Sequence, residues 1–416
     1  MSPAGDWVSL RAALDAGCDA VYFGVQGFNM RAGADNFIAA SLGKIARLCR
    51  AAGARSYLAL NTIVYEGELG KIRALLARAR AAQIDAVICW DYAVIGHARS
   101  LGLPVFASTQ MSVSNSASLL ELYRQFGIKR FVLARECSLD DMMKIRRSLA
   151  KALGAQAREI EIEVFAHGAM CVSVSGRCFL SQFEHGKSAN RGECLQTCRR
   201  EFIVHDVLRG HELAIGNHYI LSPKDLCVLP FIEKLIEAGA SSFKIEGRSR
   251  SPEYVATVTW AYRRAVDFYC DHRSEPDFKP RFEALKHELL GELARVYNRG
   301  FSSGFYLGRP IDQWHDVEGS IATTRKEYAG AVTNFYKKHG AAEIRVESNE
   351  FAPGDEIMFQ GATTGVFSQT VEAIEINRKR VDRARKGASV AVKTDRQVRR
   401  GDKVYVITYV PKKPPG

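Results

Sequence analysis

Long apolar runs are missing from this sequence of 416 residues, whose densest apolar stretches, such as AVICW, are five or six residues long. A membrane-spanning helix needs about 20 consecutive, mostly apolar residues, so the sequence offers no candidate for one. The first residues, MSPAGDWVSL, also lack the basic region and apolar stretch of a secretory signal. We therefore expect a cytoplasmic protein that has no membrane partner.

Several catalytic signatures are absent as well. No GxGxxG follows an early apolar run, which weakens the case for a dinucleotide-binding fold. The motif HExxH does not occur, and no obvious Cys/His pair lies outside one cysteine-rich segment. The residues give no positive support for a protease, although an unrecognised catalytic arrangement stays open.

The composition is that of an ordinary globular protein, with 47% apolar and 25% charged residues, and the length predicts about two domains. The exception is charge, because 58 Lys and Arg exceed 46 Asp and Glu and give a net charge of +12. Residues 376–416 hold 13 of these basic residues against three acids. The surplus, which favours a polyanionic partner, therefore belongs to the end of the chain.

Apolar β-rich runs alternate with amphipathic helical stretches over about the first 270 residues. This pattern indicates a parallel sheet covered on both faces, and seven clear units predict an α/β fold of the (β/α)8 TIM-like barrel type over residues 1–309. The alternative is a doubly wound open sheet. Because a helical pattern follows Met1–Asp6 directly, we expect the first barrel strand to be clipped. The other strands are predicted at 20–24, 56–62, 86–91, 105–110, 131–136, 162–168 and 242–247.

Polar residues stand at the ends of most of these strands, where the catalytic face of a barrel lies. Each residue alone would more often be a loop cap or a surface residue, but together they favour a site. They are Asn61, Asp91, Thr109, Gln110, Arg135, Glu136, His167, Lys244, Glu246 and Arg248.

Four of the ten cysteines fall within 28 residues, in the pattern Cys171-x6-Cys178-x15-Cys194-x3-Cys198. They lie in a Gly/Ser/Cys-rich insertion at 167–202, after strand seven, which is too long for an ordinary connection. Thiolates suit zinc or an iron–sulfur cluster, and the wide, uneven gaps favour a cluster over zinc, with no metal as the third alternative. The six remaining cysteines are expected to be buried apolar residues.

The sequence pattern changes after residue 320, where predicted short strands alternate with turns. We predict a C-terminal small all-β barrel domain at 320–416. Its basic side chains suit a phosphate backbone, with a solvated loop as the alternative. The candidate RNA-binding residues are Arg378, Lys379, Arg380, Arg383, Arg385, Lys386, Arg399 and Arg400.

Several motifs together resemble the peptidase U-thirty-two family, the collagenase-like peptidases. They are PAGDWVSLRAALDAGCDAVYFG, FNMRA, HGAMCVSVSGRC, RGECLQTCRREF, LSPKDL, FKIEGRSRSPEYVATVTWAYRRAVD and VYNRGFSSGFYLGR, which span nearly the whole chain. Several members are described as hydroxylases with a 4Fe-4S cluster, and the cysteine spacing is similar to that of the branch that hydroxylates tRNA uridine. The resemblance implies that Cys171, Cys178, Cys194 and Cys198 ligate the cluster. Cys227 is either a substitute ligand or a buried helix residue.

The resemblance further implies an oxygen-independent RNA hydroxylase that uses prephenate as co-substrate and forms 5-hydroxyuridine at the tRNA wobble position. Prephenate is a small dicarboxylate, which favours Arg and Lys in its site. The candidate catalytic residues are Asp91, Arg135, His167, Lys244 and Glu246. The candidate substrate-binding residues are Asn29, Arg31, Asn61, Gln110 and Arg248.

Alternatives remain at both the functional and the residue level. The chain could be a collagenase-like peptidase, a hydroxylase of an rRNA base or a quinone precursor, or a non-catalytic RNA-binding chaperone with a structural metal. His167 could be satisfied by the backbone, and Lys244 could simply pair with Glu246. A homo-oligomer or a paralogous partner protein is also possible.

Overall fold

The computed structural model describes residues 1–30, 36–213, 219–311 and 313–410. The chain forms a mixed α/β unit built around a mainly parallel sheet, followed by a separate antiparallel all-β unit that starts at Thr324. The described helices are α1 Trp7–Asp15, α2 Leu42–Ala51, α3 Leu69–Ala81, α4 Tyr92–Ser100, α5 Ser116–Phe126, α6 Leu139–Leu153, α7 Leu180–His185, α8 Ile232–Glu237, α9 Pro252–His272 and α10 Phe278–Arg295. None of these helices is both long enough and apolar enough to cross a bilayer, a finding limited to the described ranges.

The strands of the first unit follow one another in the sheet in chain order, and each pairs with the next in parallel. They are β1 Ser2–Ala4, β2 Ala20–Phe23, β3 Arg55–Leu60, β4 Ala86–Cys89, β5 Val105–Ala107, β6 Arg130–Val132, β7 Glu161–Gly168 and β11 Ser242–Ile245. All seven strands predicted from the sequence are present. The first strand is short, consisting of Ser2–Ala4, and it pairs with β2 through contacts such as that between Ala4 and Phe23.

The first and the last strand of this series, β1 and β11, meet at the amino terminus. The α-amino group of Met1 donates to the Phe243 carbonyl at 2.7 Å, and the Ile245 amide donates to the Met1 carbonyl at 3.1 Å. These two bonds join the residue before β1 to β11. Closure of the sheet into a complete barrel remains a prediction, because the described strand pairs form no closed ring.

Four of the described helices, α1, α4, α5 and α6, begin at residues whose side chains accept hydrogen bonds from the free backbone amides of the first turn. Asp6 accepts from the Ser9 amide at 2.7 Å before α1, and Asn115 accepts from the Ser118 amide at 2.9 Å before α5. Ser138 and Asp141 bond reciprocally at the start of α6, as in a capping box. The apolar stripes of these helices pack against the sheet and form one continuous core.

A long excursion separates β7 from β11 and contains the cysteine-rich segment, as the sequence indicated. It includes α7, the hairpin of β8 Val204–Asp206 and β9 His211–Leu213, and the strand β10 Asp225–Cys227. β10 runs antiparallel to β7 and parallel to β12 Phe301–Ser302, so it extends the sheet beside the end of β7. Cys227 therefore lies at the end of a buried strand, and the expectation of a helix at this position is wrong.

The second unit is an eight-stranded antiparallel sheet in the order β16-β15-β20-β13-β14-β19-β17-β18. Its strands are β13 Thr324–Tyr336, β14 Ala341–Val346, β15 Glu356–Gly361, β16 Gly365–Thr370, β17 Ile374–Ile376, β18 Lys379–Val381, β19 Ser389–Lys393 and β20 Lys403–Tyr409. It has its own apolar core, and no closed ring of strands is found among its described residues.

The two units are in direct contact. β16 packs on α1 and α9, and two ion pairs cross the boundary. Lys326 lies 2.9 Å from Glu253 on α9, and Arg295 at the end of α10 lies 2.6 Å from Glu356. The two units therefore meet through ion pairs, and β16 is a strand of the second unit that packs on helices of the first.

Candidate active site

A cavity of about 270 Å³ lies where the carboxyl ends of the parallel strands meet the cysteine-rich segment. Residues from β3, β5, β6, β7 and β11, or from the positions just after them, line it. Among the predicted site residues, those that line it are Asn61, Gln110, Arg135, Lys244, Glu246 and Arg248, together with Cys171, Cys178, Cys194 and Cys198. The structure thus brings ten of the predicted residues to one place.

Three of the four thiols share one local geometry. The backbone amides of Ser173, Leu180 and Gln196 point at the sulfurs of Cys171, Cys178 and Cys194, at N···S distances of 3.4, 3.3 and 3.3 Å. Each amide belongs to the residue two positions after its cysteine. Such N–H···S bonds adjust the potential of any cluster that the sulfurs hold.

The four thiols lie near one another without forming a site for a single metal ion among the described residues. Burial raises the pKa of Cys198, and negative charge on Cys171, Cys194 and Cys178 raises it further, so the four sulfurs lie within electrostatic range of one another. Within the described ranges, however, no three His, Cys, Asp or Glu side chains converge closely enough for a single ion. Zinc needs its sulfurs about 2.3 Å from one centre. The described residues therefore hold no preformed site for one zinc ion, and a set of four thiols is the ligand number that a 4Fe-4S cluster takes.

Arg199 directly follows Cys198 and lies half-buried beside the thiols. Its guanidinium donates to the Met170 carbonyl, to the Pro223 carbonyl at 2.6 Å and to the Ser222 hydroxyl at 2.9 Å. Its charge lowers the pKa of the neighbouring Cys198 thiol, against the larger upward effect of burial. Arg199 thus holds both ends of the cysteine-rich segment and supplies positive charge to it.

A second network fixes the cysteine-rich segment to the end of β11, and Glu246 is its centre. One carboxylate oxygen accepts from the Arg248 amide at 2.8 Å, and the other lies 3.6 Å from the Arg135 guanidinium. Arg135 in turn donates to the Ala169 carbonyl at 2.8 Å, and Arg248 donates to the Cys194 carbonyl at 3.3 Å. Glu246 therefore connects two arginines that hold the chain just before Cys171 and at Cys194.

Lys244 lines the wall opposite the thiol-bearing loop. Its ammonium lies 3.2 Å from the carboxylate of Glu163 and 4.6 Å from the ring centre of Tyr22. Both members of this ion pair are buried, Lys244 being 6% exposed and Glu163 1%. The alternative of a simple Lys244–Glu246 pair is replaced by a pair in which Glu163, not singled out from the sequence, neutralises the lysine.

The sequence analysis missed a group of charged residues at the other end of the cavity. Arg250 and Arg299 both line it and share the buried carboxylate of Asp225, at 3.0 and 3.4 Å. The Arg250 guanidinium also stacks 4.0 Å from the ring centre of Tyr297. The SRSP run after β11 was the available signal for Arg250, but nothing in the sequence linked Arg299 or Asp225 to it.

Two of the predicted catalytic residues lie outside the cavity lining. Asp91 caps α4, where its carboxylate accepts from the Ala93 and Val94 amides at 2.9 and 3.3 Å. This bonding explains why a polar residue follows β4, so the proton-transfer role for Asp91 lacks structural support.

His167 lies within β7 and is 1% exposed. Three aromatic rings enclose it, those of Tyr254, Tyr262 and Phe301, with centroid distances of 5.9, 5.6 and 5.5 Å. Burial, together with the charge of Arg250, lowers its pKa to about 3. His167 is therefore a neutral core histidine and does not line the cavity, which contradicts its predicted catalytic role.

Two more residues named in the sequence analysis, Asn29 and Cys227, do not line the cavity. Asn29 is buried and donates to the Val25 carbonyl at 2.5 Å, away from the cavity lining. Arg31 lies outside the described residues. The Cys227 thiol is buried and lies 3.8 Å from the Tyr262 hydroxyl, and it does not line the cavity with the other four. No histidine in the described part of the chain lines the cavity either.

The candidate RNA-binding residues lie in two places on the second unit. Six lie in or after the β17–β18 hairpin and two in the turn before β20, and all eight side chains are exposed. None of them forms an ion pair with another described residue. They are Arg378, Lys379, Arg380, Arg383, Arg385, Lys386, Arg399 and Arg400.

The fold and the cavity define an α/β protein that carries its site at the carboxyl ends of parallel strands, with an additional β unit. The family model described as Peptidase family U32 matches residues 5–316, and the chain belongs to this family. The resemblance drawn from the motifs is thereby confirmed.

Similar proteins carry names from two enzyme classes. A collagenase of Porphyromonas gingivalis is 43% identical over 97% of this chain and 96% of its own length. An uncharacterized protease of Methanocaldococcus jannaschii is 40% identical over 98% of this chain and 97% of its own length. A tRNA hydroxylation protein of Bacillus subtilis is 31% identical over 90% of this chain and 86% of its own length.

Proposed function

We propose that this protein is an oxygen-independent RNA hydroxylase, which forms 5-hydroxyuridine at the wobble position of tRNA with prephenate as co-substrate. The observation that carries the proposal is the convergence of four cysteine thiols and a set of buried cations on one cavity at the ends of the parallel strands. The tRNA hydroxylation relative supports the choice of substrate. We further propose that the parallel strands form a closed (β/α)8 barrel and that the protein is cytoplasmic.

Cys171, Cys178, Cys194 and Cys198 would hold a 4Fe-4S cluster. When bound, such a cluster supplies electron transfer, which the replacement of C–H by C–OH on a base requires. The donor set fits, because four thiols line one cavity and three of them accept backbone N–H bonds. Arg199 would offset part of the negative charge that four thiolates bring.

The co-substrate would bind through its carboxylates in the cationic part of the cavity. Arg250 and Arg299 share a single carboxylate, that of Asp225, so this end of the cavity keeps a net positive charge. Nε of Arg250 is buried and has no hydrogen-bond partner among the described residues. A guanidinium with a free N–H suits a carboxylate, so we assign the carboxylate-binding role to Arg250 rather than to Arg248.

The exposed basic residues of the β17–β18 hairpin would hold the RNA by its phosphates. Their lack of ion pairs leaves the charges available for a polyanion, and the contact would be independent of sequence. In this division of labour, the second unit supplies affinity and the cavity supplies chemistry.

Peptidase activity is the second candidate, because the two relatives at 43% and 40% identity are named as a collagenase and a protease. The cavity gives this reading less support, since the described histidines are absent from its lining and His167 stays neutral in the core. A pure protein that degrades gelatin, and loses that activity in the Lys244→Met variant, would favour the peptidase.

Mass spectrometry of tRNA nucleosides tests the proposal. A strain without this protein should lose 5-hydroxyuridine and the nucleosides made from it, and the wild-type gene should restore them. Complementation with Cys194→Ser should fail, whereas Cys270→Ser, which changes an exposed cysteine outside the cavity, should succeed. Unchanged nucleosides in the deletion strain would rule out tRNA uridine as the substrate.

A further inference from the structure

The cavity has one lysine and five arginines among its described lining residues. They are Lys244 and Arg135, Arg199, Arg248, Arg250 and Arg299. A guanidinium suits a carboxylate better than an ammonium does, and five guanidinium groups are present for that purpose. A lysine adds an amine that can release its proton and attack a carbon atom, which no arginine does in a protein. Lys244 therefore points to a role other than holding an anion.

The amine of Lys244 lies on the aromatic part of the cavity wall. Nζ is 4.6 Å from the ring centre of Tyr22 and 5.7 Å from that of Phe165, and both rings line the cavity. Lys244 is 6% exposed, so water is largely kept away from it. Such desolvation in an apolar pocket activates lysines that form covalent bonds with carbonyl groups.

Glu163 stands next to this amine as a proton acceptor. Its Oε1 lies 3.2 Å from Nζ of Lys244, and its Oε2 accepts from the Ser242 hydroxyl at 3.0 Å and lies 3.9 Å from the Arg130 guanidinium. Glu163 is 1% exposed and does not line the cavity, so it reaches a ligand only through Lys244. A nucleophile and a base thus lie within hydrogen-bond reach, and Ser242 orients the base.

A second cation contacts the same ring as Lys244. The Arg135 guanidinium stacks 3.8 Å from the ring centre of Phe165 and lines the cavity. Its Nε is buried and has no hydrogen-bond partner among the described residues. A 2-oxo acid carries a carboxylate and a carbonyl on adjacent carbons, so its site needs a guanidinium and an amine near each other. Arg135 and Lys244 match that pair of groups.

We propose that Lys244 forms an imine with the carbonyl group of a 2-oxo acid whose carboxylate binds Arg135. The inference rests on the proposed function, because prephenate is a 2-oxo acid, and it names the residue that captures the carbonyl group. The second carboxylate of prephenate remains for Arg250.

The proposed step balances without an oxidant or a reductant. Glu163 takes one proton from the ammonium, and the neutral amine of Lys244 attacks the carbonyl carbon. The C=O bond is replaced by C=N, and the oxygen leaves as water with two hydrogens from the nitrogen, one of them returned by Glu163. The product is an iminium, which keeps the positive charge of Lys244 beside the Glu163 carboxylate.

Reduction with sodium cyanoborohydride tests the inference, because it converts an imine into a stable secondary amine. The complete, cluster-loaded protein, purified without oxygen, is incubated with phenylpyruvate and the reductant. Phenylpyruvate has the same carbonyl and adjacent carboxylate as prephenate. Phenyllactate, in which the carbonyl is already an alcohol, is the control ligand and should give no adduct.

The wild type should gain the mass of one phenylpyruvic acid less one oxygen atom, and peptide mass spectrometry should locate the gain on Lys244. Lys244→Arg keeps the charge beside Glu163 and should gain nothing. Lys187→Arg changes an exposed lysine of the cysteine-rich segment outside the cavity and should react like the wild type. Glu163→Gln should slow the labelling about 100-fold, because the general base is lost.

The failures of the two proposals are distinguishable. An unlabelled wild type, or equal labelling of Lys244→Arg, would overturn the imine, and the proposed function would stand if the deletion strain still lost 5-hydroxyuridine. A Lys244 adduct together with unchanged tRNA nucleosides in the deletion strain would support the imine and overturn the tRNA assignment.

Discussion

Basic residues occupy two contrasting settings in this molecule. In the first unit, Arg250 and Arg299 are buried and share the carboxylate of Asp225, so their positions are fixed by their partners. In the second unit, residues such as Arg378 and Arg380 are exposed and form no ion pair with a described residue. A buried cation can position one small anion, whereas a group of exposed cations can hold a flexible polyanion. The difference is what suggests a division between chemistry and RNA binding.

Removing the charges of the exposed basic residues in the second unit should have the largest effect. With Arg378, Lys379, Arg380 and Arg383 all changed to Gln, RNA affinity should fall about 100-fold, because four phosphate contacts are lost. The slope of log affinity against log salt concentration should shrink by about 3. Filter binding across a salt series measures both quantities.

The matched control changes Lys337 and Lys338, exposed lysines at the turn after β13, to Gln. It should leave the salt slope nearly unchanged. Truncation before residue 376 is a poorer experiment, because it removes β20, which pairs with both β13 and β15. An unaltered slope in the fourfold variant would show that the RNA contacts lie elsewhere.

A smaller effect is expected when the contact between Glu246 and Arg135 is weakened. Glu246→Gln keeps an oxygen for the Arg248 amide but removes the charge that faces Arg135. Because this partly exposed pair contributes about 1 kcal/mol, a chelator should remove the bound metal about fivefold faster. The decay of the visible absorption gives the rate.

Glu136→Gln serves as the comparison, since Glu136 is exposed and adjoins Arg135 in the chain. Its decay should follow the wild type. If Glu246→Gln lost metal no faster than this control, Glu246 would not hold the cysteine-rich segment, and its role would have to lie in substrate contact.

The last prediction concerns pH. Burial lowers the pKa of His167 to about 3 in the folded protein, so the unfolded chain binds one more proton between about pH 3 and pH 6.5. His167 therefore destabilises the fold progressively as pH falls below 6.5. His167→Phe should reduce the slope of unfolding free energy against pH in this window by about 1.4 kcal/mol per pH unit.

Urea unfolding at a series of pH values measures that slope. The variant should also keep the wild-type pH dependence of hydroxylation above pH 6. A pH profile that loses an inflection in His167→Phe would restore a catalytic role to this histidine.

Much of the fold was predictable from the sequence, because strand and helix periodicities differ and the cysteines cluster in one segment. The seven predicted strands, the insertion and the all-β second unit are all present. The short strand β10 was not, since three residues carry too little pattern to be recognised. Its antiparallel pairing with β7 depends on a distant part of the chain.

The candidate site was predicted only in part, and the errors have a common cause. A polar residue after a strand can face the cavity, as Gln110 does, or cap the next helix, as Asp91 does. Sequence position alone does not distinguish these two outcomes. His167 was misassigned for a related reason, because the aromatic rings that bury it come from α9 and β12, far away in the sequence.

Metal analysis of three proteins purified without oxygen tests the central claim most directly. Wild type and Cys227→Ser should each bind about four iron atoms and four acid-labile sulfides per chain and absorb visible light. Cys194→Ser should bind neither, because it removes one of the four thiols that line the cavity. A colourless wild-type protein with a single zinc ion, or a cluster lost in Cys227→Ser and retained in Cys194→Ser, would contradict the account.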